Sequence, residues 1–288
     1  MNATLANRLS IITFVSLWGS AAIFSKWGLQ YANAVALLSF RYLIAIIALI
    51  AFCIIKKQSF LPQSTSWRYV CMTGFLLIGG YSLFYFLALQ YGISPGLLAT
   101  VLALQPILTY FITERSFSKL KLLGLLLSFA GIICLVYTSL FVNQLSILAI
   151  SFALICLCAI TIGAMLQRKI VEDPLKILPL QYLTSLVVFV AVIPLQGFHF
   201  EMSFDFWTPT IWLALVISVA AQLIFYRLLR SGNLVNVTSL FYLVPIVTLI
   251  LDFMIFQATL SRFDVIGISA ILLGVYLVYR QPSSKISA

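Results

Sequence analysis

Polar positions in this chain are gathered into short clusters, and the stretches between them are almost uniformly apolar. Ten apolar runs result, at about 9–29, 34–55, 69–90, 94–113, 119–138, 145–167, 177–197, 209–229, 234–257 and 263–280. A helix needs about 20 largely apolar residues to cross the hydrocarbon core of a bilayer. Inside that core every backbone N–H and C=O must be bonded internally, which only a helix or a closed barrel achieves. A barrel would alternate apolar and polar positions over segments of about ten residues, and no such alternation occurs. The pattern predicts an all-α integral membrane protein with ten transmembrane helices.

Composition sharpens that reading. The 288 residues are 63% hydrophobic and 8% charged, with a mean hydropathy of +1.13, against roughly 45–50% and about 25% in a soluble domain. So few charges cannot cover a water-facing surface, which excludes a soluble enzyme, a nucleic-acid-binding module and a disordered tail. The net charge of +10 is spread over the gaps between runs. With the N-terminus inside, fourteen of the 17 Lys and Arg fall in inner segments and Arg262 alone in an outer one. The positive-inside rule then places both the N and C termini in the cytoplasm. Arg8, Ile11–Leu17 and Ser20-Ala21-Ala22 carry some marks of a cleaved signal peptide, but the run continues to Leu29 and reads as the first span. The five cysteines sit in or beside apolar runs and His199 is the single histidine. Neither a metal-ligand spacing nor a Walker-type phosphate loop is present, so no metal and no cofactor is expected.

The chain also repeats itself. Ser118-Lys-Leu-Lys-Leu-Leu-Gly124 parallels Ser261-Arg-Phe-Asp-Val-Ile-Gly267, and a second glycine follows seven residues later in each, Gly131 and Gly274. Upstream, Leu102-Ala-Leu-Gln-Pro106 parallels Phe241-Tyr-Leu-Val-Pro245, at an offset of about 140 residues. Each half, 1–140 and 141–288, holds five spans. Five is odd, so the second half must lie upside down relative to the first, an arrangement used by transporters. Two inverted five-helix repeats are therefore expected.

Trp18-Gly19 with Lys26, Phe40-Arg41, Leu104-Gln105-Pro106, Glu114-Arg115, Tyr242-Leu-Val-Pro245 and the closing Gly267…Gly274 helix together resemble the drug/metabolite transporter superfamily, EamA type, over essentially the whole chain. Two positions depart from the family pattern. The counterpart of Glu114 is Gln257, and Pro106 precedes Glu114 by 8 residues where Pro245 precedes Gln257 by 12. The resemblance implies small-metabolite transport across the cell inner (plasma) membrane, often export of amino acids or related compounds.

Several residues are candidates for the work. Lys26, Arg41 and Asp252 are ionisable residues inside spans, each costing about 2.5–3.5 kcal/mol at a helix centre on insertion scales. Lys26 either snorkels to the outer interface or meets substrate. Arg41 lies roughly 10 Å deep at 1.5 Å per residue, and its guanidinium suits a substrate carboxylate or phosphate. Asp252 either neutralises one of these cations or couples to protons. Glu114 ends its span where charged side chains beside headgroups are ordinary; the alternatives are a coupling role or an ion pair. Glu172-Asp173, lying among Arg168, Lys169 and Lys176, reads as a solvated charge run. Tyr81 and Tyr85 share a helix face that either stacks on an aromatic or cationic substrate or serves lipid contact and ordinary packing. Gln105 and Gln222 must face protein or a wet cavity. Trp18 and Tyr242 sit inside their spans rather than in the interfacial belt, as cavity-lining candidates. Pro106 and Pro245 break backbone bonding near mid-membrane and mark hinges, while the four repeated glycines favour close packing of spans five and ten.

The resulting expectation is a secondary transporter rather than an enzyme. It would move a small polar metabolite by alternating access, in the export direction, through a cavity between spans one to four and six to nine. Its partners would be that small molecule and membrane lipids, not nucleic acid, in a monomer or homodimer. A channel or non-transporting receptor is the rival reading. A lipid-modifying enzyme would need acid/base or metal groups clustered near the interface, which the chain does not offer.

Overall fold

Helices in this chain start where the sequence places a small polar residue ahead of an apolar run. Asn33 Oδ1 accepts from the Ala36 amide at 3.0 Å, Ser118 Oγ from Lys121 at 3.3 Å and Asp173 Oδ1 from Leu175 at 2.9 Å. Ser203 and Asn233 do the same for Phe206 and Asn236, and Ser261 and Asp264 bond reciprocally as a capping box. Each side chain satisfies a first-turn N–H that has no partner within the helix.

The computed structural model describes residues 3–93, 95–114, 118–137, 147–256 and 261–280. Its helices are α1 (Ala3–Gly28), α2 (Ala34–Ile55), α3 (Trp67–Gln90), α4 (Leu97–Thr113), α5 (Lys119–Leu135), α6 (Ile147–Arg168), α7 (Pro174–Gln196), α8 (Phe204–Ser231), α9 (Leu234–Leu251) and α10 (Arg262–Arg280). Eight of them, α1 to α3 and α6 to α10, are long and apolar enough to cross a membrane. α4 is a shorter apolar helix, and α5 has 17 residues. Among the described residues there is no β-strand, only an isolated bridge between Ala32 and Phe200.

Local backbone departs from a plain helix at four places. α4 is interrupted between Leu102 and Gln105, immediately before Pro106, which occupies the first turn of the resumed helix. α9 tightens into a 3₁₀ turn over Leu240–Leu243 before Pro245. Both follow from proline's missing N–H and the steric demand of its ring on the preceding turn. α3 and α8 each widen into a π-helical stretch, Phe75–Gly80 and Trp212–Ala221, a feature frequent at functional sites and without a signature in the apolar pattern.

Packing follows a paired scheme. α2 lies on α7, α4 on α9 and α5 on α10; α1 packs on α8 and α9, α6 on α3 and α4, α2 on α8 and α7 on α3. The α5–α10 crossing is the closest in character to backbone-on-backbone contact. A Cβ on Gly131 would lie 2.7 Å from the Gly267 carbonyl oxygen, and one on Gly267 2.7 Å from that of Gly131. Gly124 and Gly274 face each other in the same way. The first glycine of one helix meets the second of the other, so the two helices run antiparallel.

Candidate functional site

Arg41 is carried in the first half of α2, two turns in from its start. Its Nε donates to Ser218 Oγ at 2.8 Å, and its guanidinium carbon lies 5.2 Å from the centre of the Tyr42 ring. Ser218 belongs to the π-helical stretch of α8 and also receives, on its carbonyl, the Tyr182 hydroxyl at 2.5 Å. Tyr182 stacks obliquely on Tyr42, with ring centroids 4.9 Å apart. Tyr42 in turn shares a 2.7 Å hydrogen bond with Ser82 Oγ on α3. Four helices thus converge on one half-buried cation through hydroxyl and aromatic groups.

A second chain of polar side chains continues from this centre. Gln222 is buried one turn beyond Ser218 on α8. One turn further, the Tyr226 hydroxyl donates to Gln181 Oε1 at 2.7 Å, and Gln181 Nε2 donates to Gln167 Oε1 at 2.8 Å. Every group in this chain is buried, where an unpaired polar atom is costly.

The expected site residues divide between this centre and other places. Arg41 and Gln222 lie in it. Tyr81 and Tyr85 stand beside it on α3, rings 5.9 Å apart. Trp18 is half-buried against Phe225 at 5.7 Å and Phe241 at 5.5 Å in the same core. Beside it, Gly19 admits α9: its carbonyl accepts from Thr248 Oγ1 at 2.9 Å. Tyr242 and Gln105 are elsewhere. Both are buried in the α4–α9 region, Tyr242 among side chains of α4, α5 and α10, and the Tyr242 hydroxyl and Gln105 Nε2 have no partner among the described residues. Pro106 and Pro245 mark the helix breaks of the same region. Lys26 is exposed near the end of α1. Asp252 lies in the helix Val244–Phe256, its side chain outside the described residues, as is Gln257.

Glu114 is engaged as an ion-pair partner: with Lys121 it forms a pair of 2.7 Å, the side chains 6% and 3% exposed. Asn233 Nδ2 donates to the same carboxylate at 2.9 Å, joining the end of α4 and the start of α5 to the start of α9. One charge reading is corrected: Glu172 is not part of a solvated charge run. Its carboxylate receives the backbone amides of Gln63, Ser64 and Thr65 at 2.5–3.1 Å and the Ser64 hydroxyl at 3.1 Å. Partial desolvation pushes this carboxyl up, but those donors outweigh it and hold the pKa down to about 2. Asp173 caps α7.

Sequence reasoning passed over Tyr42, Ser82, Gln167, Gln181, Tyr182, Ser218 and Tyr226. One signal was available. Asn33 and Asp173 cap α2 and α7, and from those caps Arg41 corresponds to Gln181 and Tyr42 to Tyr182.

A solved structure shares the fold at 18% identity, with a TM-score of 0.81 over 94% of this chain and 96% of that one. An uncharacterized transporter of Archaeoglobus fulgidus is 26% identical over 91% of this chain and 93% of its own length. A probable amino-acid metabolite efflux pump of Salmonella typhimurium is 25% identical, covering 91% of each chain. The uncharacterized transporter YvbV of Bacillus subtilis is 24% identical over 97% of this chain and 93% of its own. The model of the EamA-like transporter family matches residues 8–137 and 147–280, nearly the whole chain. The protein is therefore a member of the EamA-like transporter family, multi-pass in the membrane and consistent with the cell inner membrane.

Proposed function

We infer that this chain is a secondary transporter that moves a small metabolite bearing a carboxylate, an amino acid or related compound, out of the cell. Ten crossings are arranged as two inverted five-helix repeats, 1–140 and 141–288, with both termini cytoplasmic. The observation that carries the substrate reading is the Arg41–Ser218 contact. It holds a cation where α2, α3, α7 and α8 converge, between residues of the two halves, with Tyr42 and Tyr182 alongside. A guanidinium held by one nitrogen keeps further donors for an incoming carboxylate.

The inverted arrangement is supported by the packing scheme. Exchanging each helix of the first half with its counterpart in the second turns α2–α8 into α7–α3 and α1–α9 into α6–α4, and leaves α2–α7, α4–α9 and α5–α10 unchanged. Alternating access then amounts to exchanging the conformations of two similar halves about a fixed site, with the helix breaks at Pro106 and Pro245 as flexing points. The direction rests on the Salmonella relative's name.

The test is counterflow of labelled amino acids into proteoliposomes. Saturable exchange is expected, with Arg41→Gln lowering kcat/KM about 10–100-fold, the worth of a charge-assisted hydrogen bond, while Arg41→Lys restores it only in part. Unsaturable flux would mean a channel, and unchanged Arg41→Gln kinetics would remove Arg41 from the site. For orientation, a cysteine replacing Gln90 should label from outside intact cells and one replacing Ser59 only after lysis.

A further inference from the structure

The sequence scatters its cations over separate loops; the fold ties together two of those loops, which with their flanking helix ends carry six of them. Three contacts draw the α2–α3 connection onto the α6–α7 connection. Glu172 binds the backbone of Gln63, Ser64 and Thr65, Lys176 Nζ donates to Gln63 Oε1 at 2.8 Å, and the Tyr69 hydroxyl donates to the Leu166 carbonyl at 3.2 Å. Lys56 and Lys57 at the end of α2 and Arg68 at the start of α3 flank the first of these connections, and Arg168 and Lys169 at the end of α6 open the second. Glu172 lies between them, but its carboxylate is occupied by the loop amides, and Asp173 is the other acid on these two connections.

The rim of this cluster is apolar and exposed. Ile55 is 76% exposed, Trp67 61% and Val171 71%, with Phe60 and Leu61 on the same connection. Two of the cations sit over exposed rings, Arg68 at 5.5 Å from the Trp67 ring centre and Lys56 at 5.7 Å from that of Phe52. Basic side chains above exposed aromatic and aliphatic groups, at the ends of membrane-crossing helices, match the headgroup layer of a bilayer.

We propose that this surface, assembled by the Glu172 clamp from the α2–α3 and α6–α7 connections, is a binding site for the headgroups of anionic phospholipids. The cations engage the phosphates and the exposed apolar side chains lie among the upper acyl carbons. The clamp makes the site: it fixes the α2–α3 connection against the α6–α7 connection.

Native mass spectrometry of the purified full-length protein, titrated with phosphatidylglycerol or phosphatidylcholine, tests this directly. Phosphatidylglycerol should be retained selectively. Lys56→Gln/Lys57→Gln/Arg68→Gln, which alters only exposed side chains, should weaken that binding about 100-fold, three cations each being worth about fivefold near an anionic surface. Glu172→Ala is the sharper variant. It makes the chain one unit more positive, so simple charge attraction predicts tighter binding, whereas loss of the clamp predicts weaker binding, about tenfold. Equal retention of the two lipids, or an unaffected triple variant, overturns the site; a Glu172→Ala protein that binds as tightly or more so overturns its assembly by the clamp.

Discussion

Tyr42 and Tyr182 lie nine residues beyond the caps Asn33 and Asp173, and their rings meet at a centroid distance of 4.9 Å. The pair joins α2 to α7, and Arg41, next in chain to Tyr42, is held beside it.

The two hydroxyls of that pair should not be equivalent. Tyr182 donates to the Ser218 carbonyl at 2.5 Å, the shorter of the two contacts. Tyr42 bonds the Ser82 hydroxyl, which can turn back to a carbonyl of its own helix. Tyr182→Phe should cost about 1–3 kcal/mol and Tyr42→Phe under about 1 kcal/mol. Thermal unfolding in detergent gives the order, and the reverse order would show that the Ser218 contact matters less than its length suggests.

The Glu114–Lys121 pair is almost fully removed from water. Breaking one side of such a pair strands the other charge, at about 3–5 kcal/mol, whereas replacing both with apolar groups of similar size is often near neutral. Lys121→Met and Glu114→Leu should each lower the melting temperature sharply, and the double variant should recover most of the loss. Asn233, which also bonds Glu114, leaves a residual cost. Additive losses would be incompatible with a buried, mutually dependent pair.

Much of the architecture is legible in the apolar runs, because a lipid solvent imposes one rule on every crossing segment. The expected run 34–55 coincides with α2, Ala34–Ile55. The proline breaks are legible too, since a missing N–H acts locally. What the pattern hides is partnership. Lys121 looks like any inner-loop lysine until α4 and α9 bring Glu114 and Asn233 against it. Ser218 and Tyr182 are unremarkable in an apolar run, and matter only because Arg41 and Tyr42 arrive from 177 and 140 residues away. The Glu172 clamp is hidden for the same reason: its ligands are backbone amides, which carry no sequence signature.

The α5–α10 crossing admits a test in which two errors cost less than their sum. A methyl group on Gly131 collides with the Gly267 carbonyl, and one on Gly267 with that of Gly131. Gly131→Ala should destabilise by about 1–3 kcal/mol through overpacking, and Gly267→Ala similarly. Once the first substitution has spread the helices, the second finds part of its room already made, so the double variant should fall short of the sum in a double-mutant cycle. Full additivity would mean that the two glycines do not share one contact.

Glu172 predicts how stability depends on acid. Its carboxyl has a pKa of about 2 in the folded protein, below the about 4.3 of an unfolded glutamate. A depressed folded pKa means the unfolded chain binds the proton first, so the clamp contributes fully above about pH 4.5 and loses its contribution as pH falls toward 2. Melting temperature should decline through that window, and Glu172→Gln, which cannot ionise, should start lower at neutral pH and decline less. The two curves should converge near pH 2. If they stay parallel from pH 6 to pH 2, the carboxylate is not what binds the Gln63–Thr65 backbone, and the alignment of the two basic loops must rest on Lys176 and Tyr69 instead.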